Sequence, residues 1–392
     1  MSRNRVIYQS EALYVSKHIN STGSGEHAQL RRVQSANYNF SIERQDVNQF
    51  GQLARIDALV LKSPTVSLDF TYYPTDGYNE KALGFYVQNL ARGDAPEANF
   101  ASGQMAGSSG QNFYIVTAEE GSDLNTLTGE YALSGKNTIA IGNGYLSNYT
   151  FNASVGNLPT ASVTIEGLNI KSSVILGTTG NGDSGNFVLS PTINPISGSE
   201  IALTGRIPSP EETTGKNGTA YIAALRPGDI TLSFGDYTLG SVATGAPIST
   251  LDGENGINIQ SVSIALPLSR TPIERLGSRF AFARVVDFPI VSTLNVSAVL
   301  NEVQAKSVAQ MLDDNKKRDI TLTINKNSSE KALIFKFKGS QLQSESFSSS
   351  IGANKTVDLV FQTQVGGPTD TKNGIYLSGT YTDTLAGKWG LA

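Results

Sequence analysis

"VQSANYNFSIERQDVNQFG" occupies residues 33–51, and "IQSVSIALPLSRTPIERLG" occupies residues 259–277. Four of the nineteen aligned positions are identical: Gln34 and Gln260, Ser35 and Ser261, Arg44 and Arg270, Gly51 and Gly277. Chance would give about one. The apolar pattern agrees better than the letters. Tyr38, Phe40 and Ile42 alternate with Asn37, Asn39, Ser41 and Glu43, and Ile264, Leu266 and Leu268 alternate in the same phase. A period of two marks a strand with one buried face. The spacing is 260 − 34 = 226.

The match continues past the opening strand. "SPTVSLDFTYY" (63–73) corresponds to "FPIVSTLNVSAV" (288–299), with Pro64 set over Pro289, and proline suits the first residue of a strand. Each is followed by an expected helix opening on Asn-Glu, at Asn79-Glu80 and at Asn301-Glu302, because Asn is a favoured N-cap and Glu suits the first turn. Leu83, Val87 and Leu90 form the apolar stripe of the first, and Val308, Met311 and Leu312 that of the second. Strands are expected at "NFYIVTA" (112–118) and "RDITLTI" (318–324).

The last block is the clearest. "LSNYTFNASVGNLPTASVTIEG" (146–167) matches "LQSESFSSSIGANKTVDLVFQT" (342–363) at a spacing of 352 − 156 = 196. Each reads as a hairpin whose turn holds glycine, Gly156 in one and Gly352 in the other. The fall in spacing makes the first copy about 30 residues longer. The excess falls in "GDAPEANFASGQMAGSSGQ" and "EEGSDLNTLTGEYALSGKN", which read as surface loops.

The expected fold class is therefore mainly β. It comprises two tandem antiparallel β-sandwich or barrel domains, each with one helix, and a Gly/Pro-rich β insertion between them. The first domain spans 1–170, the insertion or small β subdomain 171–225, and the second domain 226–392. Within and after the insertion, "FVLSPTI" and "DITLSFGDYTLG" are candidate strands. The latter opens the second copy as "RVIYQSEALYV" opens the first.

Bulk properties narrow the function. The chain has 392 residues, no cysteine, two histidines (His18 and His27) and a formal net charge of −4. The pI is about 5.4. Disulfide and thiolate chemistry are excluded, and there is no global attraction for nucleic acid. No apolar run approaches the ~20 residues of a membrane-spanning helix, and "MSRNRVIYQSEALYVS" lacks the apolar core of a signal peptide.

Catalytic and metal motifs read as turns. Gly182-Asp183-Ser184-Gly185 resembles the nucleophile segment of trypsin-like proteases. That chemistry needs a histidine held by a carboxylate, and the surroundings of His18 and His27 do not resemble it. The same stretch fits G-x-G-x-x-G, but "NFVLSPTINPIS" after it carries two prolines and opens no helix. Zinc lacks ligands, and "DGENG" (252–256) lacks EF-hand spacing for calcium. The N-x-S/T triplets are a chance product of a chain rich in Asn, Ser and Thr. No cofactor, metal or catalytic residue is expected, and the chain is read as a non-enzyme. "DDNKKRD" (313–319) reads as a solvated helix end. Arg44 and Arg270, which close the apolar face of the same strand in both copies, have two readings. One is a salt bridge at the core edge, the other a contact to a neighbouring subunit.

These residues resemble one family. The hairpin with Phe151-Asn152-Ala153-Ser154-Val155-Gly156, followed by an alternating strand ending in Glu166-Gly167, looks like the late hairpin of phage tail tube proteins. "VQSANYNFSIERQDVNQFGQLARI" resembles the first barrel strand and the Arg-bearing loop after it. The resemblance covers roughly 33–170 and 259–365. The chain departs from a simple tube protein in being doubled and in carrying the middle segment.

The resemblance implies a structural virion protein that polymerises as stacked rings into a hollow tail tube, assembled in the host cytoplasm. DNA would pass through the lumen without sequence recognition. The implied partners are other copies of the chain, in a trimeric ring with pseudo-sixfold symmetry or alternatively a hexamer. Tape-measure, tail terminator and baseplate proteins would follow, and a contractile sheath is left open. The implied subunit or inter-ring contacts are Arg44, Phe50, Gly51, Arg55, Arg270, Leu276, Gly277 and Arg284. Alternatives are another tube-fold virion component (tail terminator or baseplate hub), or a β-rich adhesin or carbohydrate-binding protein. The latter would expose aromatic platforms, for which Trp389 is the only tryptophan.

Overall fold

The computed structural model describes residues 11–16, 27–60, 65–90, 97–106, 110–118, 137–174, 176–177, 187–193, 200–204, 225, 230–234, 258–276, 283–299, 317–326, 330–348 and 356–381. In the first half these form β1 (Glu11–Ser16), β2 (His27–Gln29), β3 (Val33–Ser41), β4 (Arg44–Val47), β5 (Asp57–Val60), β6 (Thr65–Tyr72), α1 (Tyr78–Ala82) and β7 (Gln88–Asn89). They continue with α2 (Ser102–Ala106), β8 (Gln111–Thr117), β9 (Asn137–Ser154), β10 (Thr160–Gly167) and β11 (Asn169–Val174). β12 (Leu176–Gly177), β13 (Phe187–Ile193) and β14 (Glu200–Thr204) make a separate antiparallel sheet. The second half holds β15 (Ile230–Phe234), β16 (Asn258–Pro267), β17 (Arg270–Ile273), β18 (Ala283–Val286) and β19 (Val291–Val299). It ends with β20 (Arg318–Asn325), β21 (Lys331–Ser348), β22 (Thr356–Gln364) and β23 (Gly374–Gly379). The architecture is mainly β.

One face of the molecule is an eight-stranded antiparallel sheet in the order β3-β6-β10-β9-β16-β19-β22-β21. The first four strands come from the first half and the last four from the second. Behind them, β2-β1-β8-β9-β11 covers the first half, and β15-β20-β21-β23 covers the second. The 18-residue strands β9 and β21 therefore each serve two sheets. Each turns the corner at a residue with positive φ: Asn143 (52°) in β9 and Gly339 (62°) in β21. Asn and Gly are the residues that tolerate this left-handed region.

Several strand pairings of the first half have counterparts in the second at matching spacings. Ala161 lies opposite Phe151 and Val357 opposite Phe347. Val33 lies opposite Tyr72 and Ile259 opposite Ala298. The register irregularities coincide too: Thr164/Ile165 of β10 against β9 answers Leu342/Ser344 of β21 against β22. Leu13 of β1 lies opposite Ile115, and Leu232 of β15 lies opposite Leu322.

The packing explains why the alternation was informative. Val66, Leu68, Phe70 and Tyr72 of β6 are buried, as are Leu294, Val296 and Ala298 of β19. The two cores merge: Phe85 stacks on Phe100 with ring centroids 4.1 Å apart, and Phe335 of the second half meets Phe151 of the first at 5.1 Å. Truncating such a buried ring costs about 3–5 kcal/mol.

Several expectations are corrected. The register sets β6 against β19 at a spacing of 226, so Leu68 answers Leu294 (294 − 68 = 226). Setting Pro64 over Pro289 is one residue out and would exchange the two faces of the strand. The first helix is shorter than its apolar stripe suggested, ending at Ala82. Gly84, at φ 87°, turns the chain away, so Leu83 and Val87 reach the core from a loop. Its N-cap is Gly77, with no side-chain cap. Asn79 instead clamps Arg31, accepting from its N–H at 2.8 Å and donating to its carbonyl at 2.8 Å.

The stretch 93–111 was expected as a surface loop, but Asn99, Phe100 and Ala101 are fully buried. β11 runs through Val174, past the boundary expected at 170/171. Arg318 and Asp319 begin β20 rather than closing a helix, while 313–316 lie outside the described residues. Also outside them are the second helix (301–312), the loop 119–136, the 180–185 and 252–256 motifs, His18, Gly277, Gly352 and Trp389.

Candidate assembly interface

The joint between the halves is a strand pairing. β9 and β16 run antiparallel, with Ile264 opposite Phe151 and Leu266 opposite Tyr149. All four side chains are 0% exposed. Val155 N–H donates to the Gln260 carbonyl at 2.9 Å, and Leu268 N–H to the Ser147 carbonyl at 2.8 Å. The backbone groups of both strands are thus satisfied across the joint, as burial demands.

Side chains from the second half root into the first. Arg270 donates to the Gln104 carbonyl at 3.0 Å and lies 5.2 Å from the Tyr145 ring centre. Burial lowers the affinity of this guanidinium for its proton. Arg284 pairs with Glu166 at 3.3 Å over the same tyrosine. The traffic also runs the other way. β7 extends the second half's outer sheet by pairing in parallel with β23. Tyr381 donates its hydroxyl to the Val87 carbonyl at 3.0 Å, and Asn99 donates to the carbonyls of Gly367 and Asp370.

At the two ends of the eight-stranded sheet the same positions stand open. β3 is the counterpart of β16 but pairs only with β6, among the described residues. Tyr38, Phe40 and Ile42, which answer the buried Ile264, Leu266 and Leu268, are 45%, 49% and 40% exposed. At the opposite edge, among the described residues, residues 341–348 of β21 pair only with β22, and Phe347 is 47% exposed where its counterpart Phe151 is 0%. The edges paired within the chain are apolar and closed; the two end edges carry exposed apolar side chains, with Glu345 among them on β21. Such an edge is a template for another strand.

Two hairpin arms leave the sheet. β4 pairs with β5, Arg44 opposite Val60, and β17 with β18, Arg270 opposite Val286. Four antiparallel steps separate β3 from β16, so the two strands run the same way and both arms leave from one rim. Phe50 and Leu53 at the tip of the first arm, and Leu276 on the second, are fully exposed. β9 runs the other way, so its turn into β10 lies on the opposite rim, where Val155 and Leu158 are exposed. Gly156, with φ 82°, forms that turn.

The outer face of the eight-stranded sheet is polar. Residues there alternate with the core positions, and most are Ser, Thr, Asn or Gln. Ser35 and Thr71 share a hydrogen bond of 2.7 Å across β3 and β6, and Thr164 donates to Asp69 at 2.7 Å. Among the described residues, Asp69, Glu166 and Asp358 are the charges on this face, and no Lys or Arg side chain originates from it.

The expected contact residues divide accordingly. Arg270 and Arg284 form the joint inside the chain, while Arg44, Phe50, Gly51 and Leu276 stand exposed on the arms. Arg55 pairs with Asp46 at 2.8 Å across its own hairpin. Sequence reasoning missed Tyr38, Phe40 and Phe347 as exposed residues of the strands that end the sheet. Their alternation was visible, but it reads equally as core.

A buried polar cluster lies beneath the joint. Glu80 accepts from the Tyr72 hydroxyl at 2.8 Å and the Tyr149 hydroxyl at 3.2 Å. Burial raises the Glu80 carboxyl above its ordinary range, against the pull of the Tyr72 hydrogen bond. With no solvent access, this carboxylate ties β6, α1 and β9 together. Among the described residues no group of three His, Cys, Asp or Glu could hold a metal, and no helix is long and apolar enough to cross a membrane.

No protein-family model matches the chain, and no curated protein does. Solved structures similar to it include the tail of an empty gene transfer agent particle. That match has 12% identity, covers 40% of this chain and 100% of that one, and has a TM-score of 0.27. The SPP1 tail tube matches with 10% identity, 43% and 86% coverage, and a TM-score of 0.25. The cap terminating the tube of the anti-feeding prophage matches with 10% identity, 42% and 98% coverage, and a TM-score of 0.27.

Proposed function

We propose that the chain is a duplicated tail-tube protein whose two tube domains take neighbouring places in one ring. The observation that carries this is the β9–β16 pairing, which joins the halves edge to edge and leaves matching apolar edges open at both ends of the sheet. Three copies joined in the same way close a barrel of about 24 strands, with an unbroken ladder and no free edge. At roughly 4.8 Å per strand its circumference is about 115 Å before tilt, hence a diameter near 40 Å. Duplex DNA fits within it.

The polar face then lines the lumen. Hydroxyl and amide side chains with a few carboxylates give phosphate nothing to grip, so a polyanion passes without being held. Exposed apolar side chains of the arms on one rim and the apolar Val155–Leu158 turn on the other favour stacking into a tube over a single terminating ring. The chain is a structural component of a virion tail, delivering DNA and performing no catalysis. Purified protein, alone or seeded by tail-tip partners, is expected to form hollow tubes in electron micrographs. A protein that remains monomeric under both conditions refutes the reading.

A further inference from the structure

Resting on the ring reading, we infer that β3 of one copy pairs antiparallel with the end of β21 of the next in one defined register, Asn37 opposite Ser348 and Asn39 opposite Ser346. The joint inside the chain supplies the template. There Ser263 lies opposite Asn152 and Ala265 opposite Thr150. β16 maps onto β3 by subtracting 226, and β9 onto β21 by adding 196; both spacings hold through every neighbouring pairing in the sheet. Thus 263 − 226 = 37 and 152 + 196 = 348. The partner is a second copy of this chain, because its two end edges carry the strands equivalent to the two sides of the internal joint.

The two kinds of seam differ in chemistry. Inside the chain, Leu266 faces Tyr149. Between chains the same position sets Phe40 against Glu345. Both Glu345 carboxylate oxygens are already buried and, among the described residues, without partners. The arms differ as well: Arg284 and Glu166, which lock the internal joint, answer to Ala58 and Gln362. The seam between chains therefore has the same backbone ladder without the ion pair, and it opens first. The ring opens between chains before the β9–β16 joint within a chain gives way.

The absence of cysteine makes the register directly readable. Leu268–Ser147 and Val155–Gln260 are hydrogen-bonded pairs, so Ser263–Asn152 between them is of the non-bonded, closer kind. Its Cα separation, about 4.5 Å, falls within the range of disulfides. Asn37 and Ser348 are exposed and polar, so replacing them leaves the core intact.

Three double variants are assembled and then treated with a mild oxidant: Asn37→Cys with Ser348→Cys, Asn39→Cys with Ser346→Cys, and Asn37→Cys with Ser346→Cys. Ser263→Cys with Asn152→Cys serves as the positive control within one chain. The first two are expected to yield two- and three-chain species on non-reducing gels, about tenfold faster than the displaced third. Faster linking of the third overturns the register while the ring stands. Tubes that form with no linking in any variant overturn the edge pairing. Failure of the parent to assemble removes the ring reading and this inference together.

Discussion

Phe40→Asp isolates the seam between chains from folding. Phe40 is 49% exposed in the single chain, whereas its counterpart Leu266 is 0% exposed in the internal joint. Burying the remaining half of the ring on assembly contributes about 1 kcal/mol, half of the full value for such a side chain. The aspartate forfeits that and sets an unpaired carboxylate against Glu345 in a closing apolar seam, at a further cost of about 2–4 kcal/mol. The total, about 3–5 kcal/mol per seam, corresponds to a factor of roughly 100–1,000 or more in association. The critical concentration for tube formation, read by sedimentation or light scattering, is expected to rise by at least that factor. The melting temperature of the unassembled chain should move by only a few degrees. Leu266→Asp, in contrast, should unfold the chain itself. Equal critical concentrations for Phe40→Asp and the parent would refute the reasoning.

Three further outcomes follow from the same geometry. The raised Glu80 carboxyl contributes stability that is full below its unfolded pKa of about 4.5 and lost as pH rises through the higher folded value. Glu80→Gln should therefore flatten the decline in unfolding midpoint with rising pH; an unchanged slope would point to another group. Arg270→Ala removes the tether to the Gln104 carbonyl and is expected to destabilise the single chain by about 1–3 kcal/mol in urea titrations, whereas Arg44→Ala should leave it within about 0.5 kcal/mol and weaken assembly. Phe50→Asp with Leu53→Asp, at an arm tip, should yield rings that do not elongate; tubes of normal length would remove the arms from stacking.

Much of this fold was legible in the sequence because strand alternation is a local property. Ile264, Leu266 and Leu268, or Val357, Leu359 and Phe361, announce a buried face whatever they pack against, whereas the same alternation at Tyr38, Phe40 and Ile42 announced a face that the single chain leaves half exposed. Turn glycines are local too: Gly156 adopts the positive φ that its hairpin requires. The helix at 78–82 was overread because Leu83 and Val87 fall on a helical stripe, yet Gly84 breaks the backbone between them. The prolines misaligned by one residue because Pro289 stands outside the ladder and carries no register. The joint was not legible at all. Whether Arg270 meets its own chain or another depends on which edge β16 finds, a tertiary choice made by the whole sheet. The same holds for Asn99 and Phe100, polar-flanked residues whose burial comes from the second half lying over them.

Helical reconstruction of the assembled tube tests the central claim most directly. The expected density has three chains per ring, about 24 strands around the lumen, and two alternating kinds of domain related by a pseudo-sixfold axis. The joint seen between β9 and β16 should recur between β21 and the next chain's β3. Six full-length chains in each ring, with one domain of each lying outside the barrel wall, would contradict it.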